Sequence, residues 1–244
     1  MSGNVKIALV TGANKGIGFS TVKQLLTRGY HVCLGSRDKK KGQLAIDQLN
    51  KAGFQEVSLL ELDVTDPRSV KKAVTVFLEK YYHLDVLINN AAIGGQQPQQ
   101  TSVIPIGELK ETFETNYFGA ILVTQAFLPL MHRSRSPRIV NVSSELGSLT
   151  FLSRSIDGYY ANNLMAYSAS KVALNSFTVL LAGELQHTDF KINCVSPGYT
   201  ATDLTNFGGN RTADEAAQVI VKYATLGEEG PSGQFFGIQG QIPW

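Results

Sequence analysis

Charge of one sign is the first thing this chain does without. Its 22 Lys and Arg nearly balance 20 Asp and Glu, leaving +2 over 244 residues. The longest cationic run, Lys39-Lys40-Lys41, reads as a solvated helix start, so no nucleic-acid partner is expected. Cysteine is scarce too. Cys33 and Cys194 each sit inside an apolar, strand-like run and are expected to be buried free thiols. With four scattered histidines and no Cys-x-x-Cys, no metal site is expected. No apolar run approaches a membrane span, and no basic region followed by a long apolar stretch opens the chain. A cytoplasmic protein with no membrane partner is the expectation. A serine hydrolase would need a Gly-x-Ser-x-Gly elbow, which does not occur. Asn141-Val142-Ser143 fits the glycosylation pattern but lies in a strand-like run and is discounted.

What the chain has is alternation. It is 43% hydrophobic, and short apolar runs at 6–10, 31–35, 57–62, 85–88, 138–142, 191–195 and 234–236 read as strands. Between them, helical spacing predicts helices over 16–28, 41–51, 66–81, 108–131, 164–185 and 212–225. Such an order implies an α/β fold with a parallel sheet covered on both faces. No linker, repeat or composition break divides it, so one domain over residues 1–244 is expected. Ligands in this architecture bind beyond the carboxyl ends of the strands, where the polar clusters of this chain fall.

Two of those clusters carry chemistry. Thr11-Gly12-Ala13-Asn14-Lys15-Gly16-Ile17-Gly18 follows the first strand and opens the first helix. Glycines there allow a tight turn and close backbone approach, and the bare N–H groups of the helix start suit a pyrophosphate. Tyr167 and Lys171, four residues apart, share one face of a helix. A tyrosine alone is a weak acid and a poor base, and a lysine one turn away is expected to pull its pKa down. The pair could then exchange a proton with a carbonyl or alcohol oxygen.

The glycine turn, Asn89-Asn90-Ala91-Ala92, Asn116, Ser144, Tyr167 with Lys171, and Pro197-Gly198 together resemble the short-chain dehydrogenase/reductase family, over nearly the whole chain and in the right order. Asn14-Lys15, Ser36-Arg37-Asp38 and the stretch from Gly230 to Phe235 look like its carbonyl reductase branch. Ala92 departs from the family's usual glycine, which matters little where φ is negative. The resemblance implies a doubly wound Rossmann fold and a catalytic set of Asn116, Ser144, Tyr167 and Lys171. Tyr167 would be the general acid, and Ser144, rather than its neighbour Ser143, would hold the substrate oxygen. Lys171 would tune Tyr167 and bond the nicotinamide ribose, while Asn116 would anchor a water. Without the resemblance, Asn116 reads as a polar residue on a helix surface. The cofactor would be held by Gly12, Asn14, Lys15, Gly16, Ile17, Gly18, Arg37, Asp63, Val64, Asn90 and Ala91. Tyr167, Lys171, Pro197, Gly198, Thr200 and Thr202 would complete that set.

Charge selects the cofactor. Ser36 stands where an acid would read the ribose, 18 residues after Gly18. Serine does not repel a 2′-phosphate, and Arg37 and Lys15 would attract it, so NADPH/NADP is expected over NADH. Asp38 could instead point inward. Asp63 resembles the family's adenine-contacting aspartate, with a helix cap as the alternative. The implied reaction is reduction of a small-molecule ketone, aldehyde or quinone. A non-catalytic nicotinamide-binding regulator and an NAD-dependent alcohol dehydrogenase are the alternatives. Enoyl reductases of the wider family place the tyrosine seven residues before the lysine, which is Leu164 here. Ser144, Glu145, Tyr199 and Leu204 are candidate substrate contacts, with Tyr159, Tyr160, Met165 and Phe207 beside them. The stretch 199–211 reads as a mobile lid. Ser144 and Tyr167 lie 23 residues apart, roughly twice the family spacing, so 145–163 is expected to fold against the mouth of the site. In the carbonyl reductase branch a longer insertion here goes with a monomer, so monomer is favoured over dimer.

Overall fold

The computed structural model describes residues 5–96, 99–154 and 164–244. The strands are β1 (Ile7–Val10), β2 (His31–Ser36), β3 (Val57–Glu61), β4 (Val86–Asn89), β5 (Arg138–Val142), β6 (Lys191–Val195), β7 (Gln234–Gly237) and β8 (Gly240–Gln241). They join one sheet in the order β3-β2-β1-β4-β5-β6-β7-β8. Seven run parallel and β8 returns antiparallel to β7 through Phe236↔Gln241. β8 was not expected, being too short for a hydrophobic pattern to register.

Alternation along each strand divides the core between two faces. Ala8, Val10, Val32, Leu34, Val86, Ile88, Val140 and Val142 pack on one side with α1 (Gly16–Thr27), α2 (Lys39–Lys51) and α8 (Ala213–Ala224). Ile7, Leu9, Cys33, Leu87, Ile139 and Ile192 face the other. There they meet α3 (Pro67–Leu78), α5 (Gly119–Met131) and α7 (Met165–Glu184). Both cysteines are buried free thiols, as expected. Burial pushes Cys33 up to about 11 and Cys194 up to about 12, which leaves them unreactive.

The helix expected over 108–131 is in fact three pieces: α4 (Ile106–Phe113), a π turn at Glu114–Phe118, and α5. Apolar spacing continues through the wide turn, so the sequence does not reveal it. The turn matters because Asn116 sits in it, and π turns often mark functional sites. Within the stretch expected to be an insertion, Glu145–Gly147 forms a 3-10 turn and α6 spans Leu149–Arg154. Tyr159 and Tyr160 lie outside the described residues. α6 is tied down from far away: Thr150 N–H donates to the Trp244 carbonyl at 3.0 Å, and the Ser148 hydroxyl to that of Pro243 at 2.6 Å.

Candidate active site

The glycine turn is built from backbone. Gly12 and Gly16 have φ of 61° and 57°, which only glycine adopts freely. A Cβ on Gly12 would lie 2.8 Å from the Ala91 Cα, and one on Gly18 would lie 2.5 Å from Asn90 Nδ2. Asn90 is the clamp, since its amide donates to the carbonyls of Thr11 and Gly12 at 2.8 and 3.2 Å. The Thr11 hydroxyl accepts from the backbone N–H groups of Asn90 and Ala91, both at 3.0 Å. Thr11 opens the turn but had been given no role of its own, and its hydroxyl holds the loop after β4. The hydroxyl after an apolar strand was the available signal.

α1 opens on Lys15 with no side-chain cap and no acid in its first turn. By contrast α2, α3 and α8 are capped by their own Asp38, Asp66 and Thr212. The leading N–H groups and positive dipole end of α1 are thus free for an anion. Asn14 is half-buried in the turn. Ile17 is partly buried and packs against the core beneath it.

At the end of β2, Ser36 is 1% exposed and its hydroxyl donates to the Asp38 carbonyl at 2.8 Å. The Asp38 carboxylate accepts from Lys41 N–H at 3.0 Å, so it caps α2 rather than pointing inward. Arg37 is exposed. Lys15, expected to face a 2′-phosphate, pairs instead with Asp203 at 3.1 Å, an exposed contact of small energy. Asp63 does not cap a helix. Its carboxylate accepts from the N–H and hydroxyl of Thr65, and Asp66 caps α3. Val64 is buried against Gly119, whose added Cβ would lie 2.8 Å from Val64 Cγ2, so its side chain belongs to the core. Ala92 is absent from the positive-φ residues, which explains why the extra methyl is tolerated.

The opposite wall is built from side chains. Ser144 lies two residues beyond β5, and its side chain is near enough to Tyr167 to pull the phenol's pKa down. Its hydroxyl also accepts from Leu146 N–H at 3.2 Å. Ser143, its competitor, turns the other way and donates to Asn175 Oδ1 at 2.7 Å, buried under α7. Lys171 is 2% exposed, and its ammonium donates to the Val142 carbonyl at 2.8 Å, 5.6 Å from the Tyr167 ring centre. Burial pushes Lys171 down to about 8. Burial likewise pushes the Tyr167 phenol up to about 12, with the Ser144 hydrogen bond opposing it. This reverses the expected effect of the lysine. Loss of water around the phenol dominates, against the downward pull expected of the lysine.

Asn116 is 1% exposed, not on a helix surface. Its side chain accepts from Ile93 N–H at 2.8 Å and donates to the Ile93 carbonyl and the Ser170 hydroxyl at 2.9 and 3.0 Å. It therefore joins the loop after β4 to α7. Asn141 of the glycosylation pattern is fully buried and donates to Thr178.

Pro197 and Gly198 follow β6, and Gly198 has a φ of 77°. The 199–211 segment is a tied loop. Thr200 bridges to Arg211, and Ala201 N–H donates to the Arg211 carbonyl at 2.8 Å. Thr202 packs over the glycine turn, 3.4 Å from where a Gly16 Cβ would lie, and Leu204 packs near Gly94. Glu145 and Tyr199 are exposed. Glu145 N–H donates to the Ser196 hydroxyl at 3.1 Å, another residue the sequence reading passed over.

The geometry has a counterpart among known proteins. The family model of the short chain dehydrogenases matches residues 6–212. The chain belongs to that family. Among its curated relatives, (+)-neomenthol dehydrogenase of Capsicum annuum is 34% identical over 96% of each chain. Among solved structures, salutaridine reductase from Papaver somniferum shares 29% identity at TM-score 0.84, covering 96% of this chain and 99% of that one. NADPH-bound carbonyl reductase from chicken fatty liver shares 28% identity at TM-score 0.85, covering 99% and 100%. The doubly wound sheet with helices on both faces is that of these short-chain dehydrogenase structures.

Proposed function

We propose that this short-chain dehydrogenase reduces the carbonyl of a ketone, aldehyde or quinone to an alcohol with NADPH, with Tyr167 as the general acid. The observation that carries the reading is the placing of Tyr167 and Lys171 one turn apart in α7, with the buried Lys171 ammonium donating to the Val142 carbonyl at the end of β5 at 2.8 Å and lying 5.6 Å from the Tyr167 ring centre. At neutral pH the Tyr167 phenol holds its proton, and a carbonyl oxygen that has gained the hydride's electron pair is basic enough to take it.

The residues present fit a dinucleotide. Backbone comes close at Gly12 and Gly18 where side chains are forbidden, and α1 keeps its N-terminal donors free. Gly12, Asn14, Lys15, Gly16, Ile17 and Gly18 would hold the pyrophosphate, and Asp63 and Val64 the adenine side. Asn90, Ala91, Pro197, Gly198, Thr200 and Thr202 would line the nicotinamide half. Arg37, with Ser36 and Asp38 turned away from any acid role at the ribose, would take the 2′-phosphate. The NADPH-bound state of the chicken carbonyl reductase supports that choice. When bound, the reduced nicotinamide supplies the hydride.

The chain's own work is at the oxygen. Ser144 holds the carbonyl by a hydrogen bond that strengthens as negative charge grows on it. Tyr167 delivers the proton. Lys171, anchored on the Val142 carbonyl, would tune the phenol and bond the nicotinamide ribose. Asn116 fixes the loop after β4 against α7. Glu145, Tyr199 and Leu204 would lie at the mouth and bear on substrate choice.

The test is a panel of ketones, aldehydes and quinones with NADPH or NADH, read by loss of reduced nicotinamide. Turnover is expected with NADPH, favoured by roughly tenfold or more over NADH because of the charge-assisted phosphate contact. Tight NADPH binding without turnover on any carbonyl would identify a regulator instead.

A further inference from the structure

α7 carries Tyr167 and Lys171, yet it begins without a local cap. Its first flanking residue, Leu164, offers no side-chain acceptor. The leading N–H groups of a buried helix must find partners. Here they find one residue, Gln99. The Gln99 side-chain carbonyl accepts from Ala166 N–H at 3.0 Å and Tyr167 N–H at 3.3 Å. Its backbone carbonyl accepts from Met165 N–H at 3.4 Å, within a bridge between Gln99 and Leu164. Its NH₂ donates to the Gly94 carbonyl at 2.7 Å. Gln99 is fully buried, at 0% exposure.

The neighbourhood is shaped around that amide. A Cβ on Gly95 would lie 2.4 Å from Gln99 Nε2, so glycine there keeps the amide's place open. One residue earlier, Gly94 supports Leu204 of the 199–211 loop. The loop after β4 is thus held to α7 by two buried amides. Asn116 ties Ile93 to Ser170, and Gln99 ties Gly94 to the start of the helix. The family pattern accounts for the first and not for the second. Gln99 lies in a run of glutamines that no motif singles out.

We infer that Gln99 is a positioning residue for the reaction: its amide caps the helix that carries Tyr167 and fixes the phenol's distance from the substrate oxygen. The inference rests on Tyr167 being the general acid. Tyr167 is itself one of the capped residues, so movement of the first turn moves the phenol directly. A displacement of about 1 Å at a reacting group costs on the order of 10²-fold in rate.

The experiment is a double-mutant cycle of Gln99→Met with Tyr167→Phe. It is read as kcat and KM for a reduced carbonyl and as NADPH Kd by fluorescence titration. Met keeps the length and removes both polar atoms. Gln99→Met should lower kcat by roughly 10- to 100-fold, leave NADPH Kd within about twofold, and cost nothing further in the Tyr167→Phe background. Gln99→Glu keeps the acceptor oxygen and should recover most of the lost kcat. Should Gln99→Met fail to fold, Gln99→Asn, one methylene too short for both contacts, is read in the same cycle with the same expectation. Normal kcat in the Gln99 variant, an equal loss in both backgrounds, or a parallel loss of NADPH affinity would overturn the inference. Near-normal turnover of Tyr167→Phe alone would overturn the general-acid reading, and this inference with it. An inactive Tyr167→Phe beside a fully active Gln99→Met would overturn the Gln99 inference alone.

Discussion

The two walls of the cleft are made by opposite means. The glycine turn from Thr11 to Gly18 works by leaving side chains out, so that backbone N–H groups and a helix start can approach an anion. The opposite wall works by burying side chains: a lysine on a carbonyl and an asparagine between a loop and a helix. The first wall tolerates almost no added atom. The second tolerates no lost polar partner, because a buried donor or acceptor left alone bears its full desolvation cost. Damage to the first should therefore appear in cofactor affinity, and damage to the second in turnover.

Substitutions that separate those two readouts test the contrast. Ser144→Ala removes the donor at the growing oxyanion and should lower kcat by about 10²–10³-fold, with NADPH Kd nearly unchanged. A matching loss of NADPH affinity would mean that the serine serves the cofactor instead. Arg37→Ala acts on the other wall. It should weaken NADPH by roughly tenfold to a hundredfold, the range of one charge-assisted hydrogen bond, and leave NADH almost untouched. Equal weakening of both cofactors would place the 2′-phosphate elsewhere, with Lys15 the next candidate.

The smallest effect is one of stability. Lys171 is depressed from 10.5 to about 8 in the fold. Between those values the unfolded chain holds a proton that the native site has released. Stability of the wild type therefore gains with rising pH across that window, by at most about 1.4 kcal/mol per pH unit. Lys171→Met lacks this term. The stability advantage of the variant over wild type, measured by denaturant unfolding, should shrink between pH 8 and 10.5. A difference that stays constant would mean the ammonium is not desolvated.

The same contrast decides how much could be read without coordinates. The sheet was legible because its strands are apolar runs between helical periods, and their ends moved by only a residue or two. The glycine turn was legible because backbone geometry that only glycine allows leaves a mark in the sequence. The wall from Ser144 to Lys171 was legible only through its likeness to a family, since Ser144 and Tyr167 lie 23 residues apart in the chain. What escaped depended on contacts between distant segments. The π turn holding Asn116, the choice between Ser143 and Ser144, the capping of α7 by Gln99 and the pinning of α6 by residues 243–244 are all of that kind. The direction of the Tyr167 pKa escaped for a related reason. Spacing reports that Lys171 is near, but not how much water the fold strips from the phenol.

One measurement bears most directly on the account. Tyr167→Phe keeps the ring and removes the proton, so kcat for NADPH-dependent carbonyl reduction and NADPH Kd should be measured on the same preparation. The account predicts a fall in kcat of about 10²–10⁴-fold with Kd within about twofold of wild type. Turnover within a few-fold of wild type would contradict it.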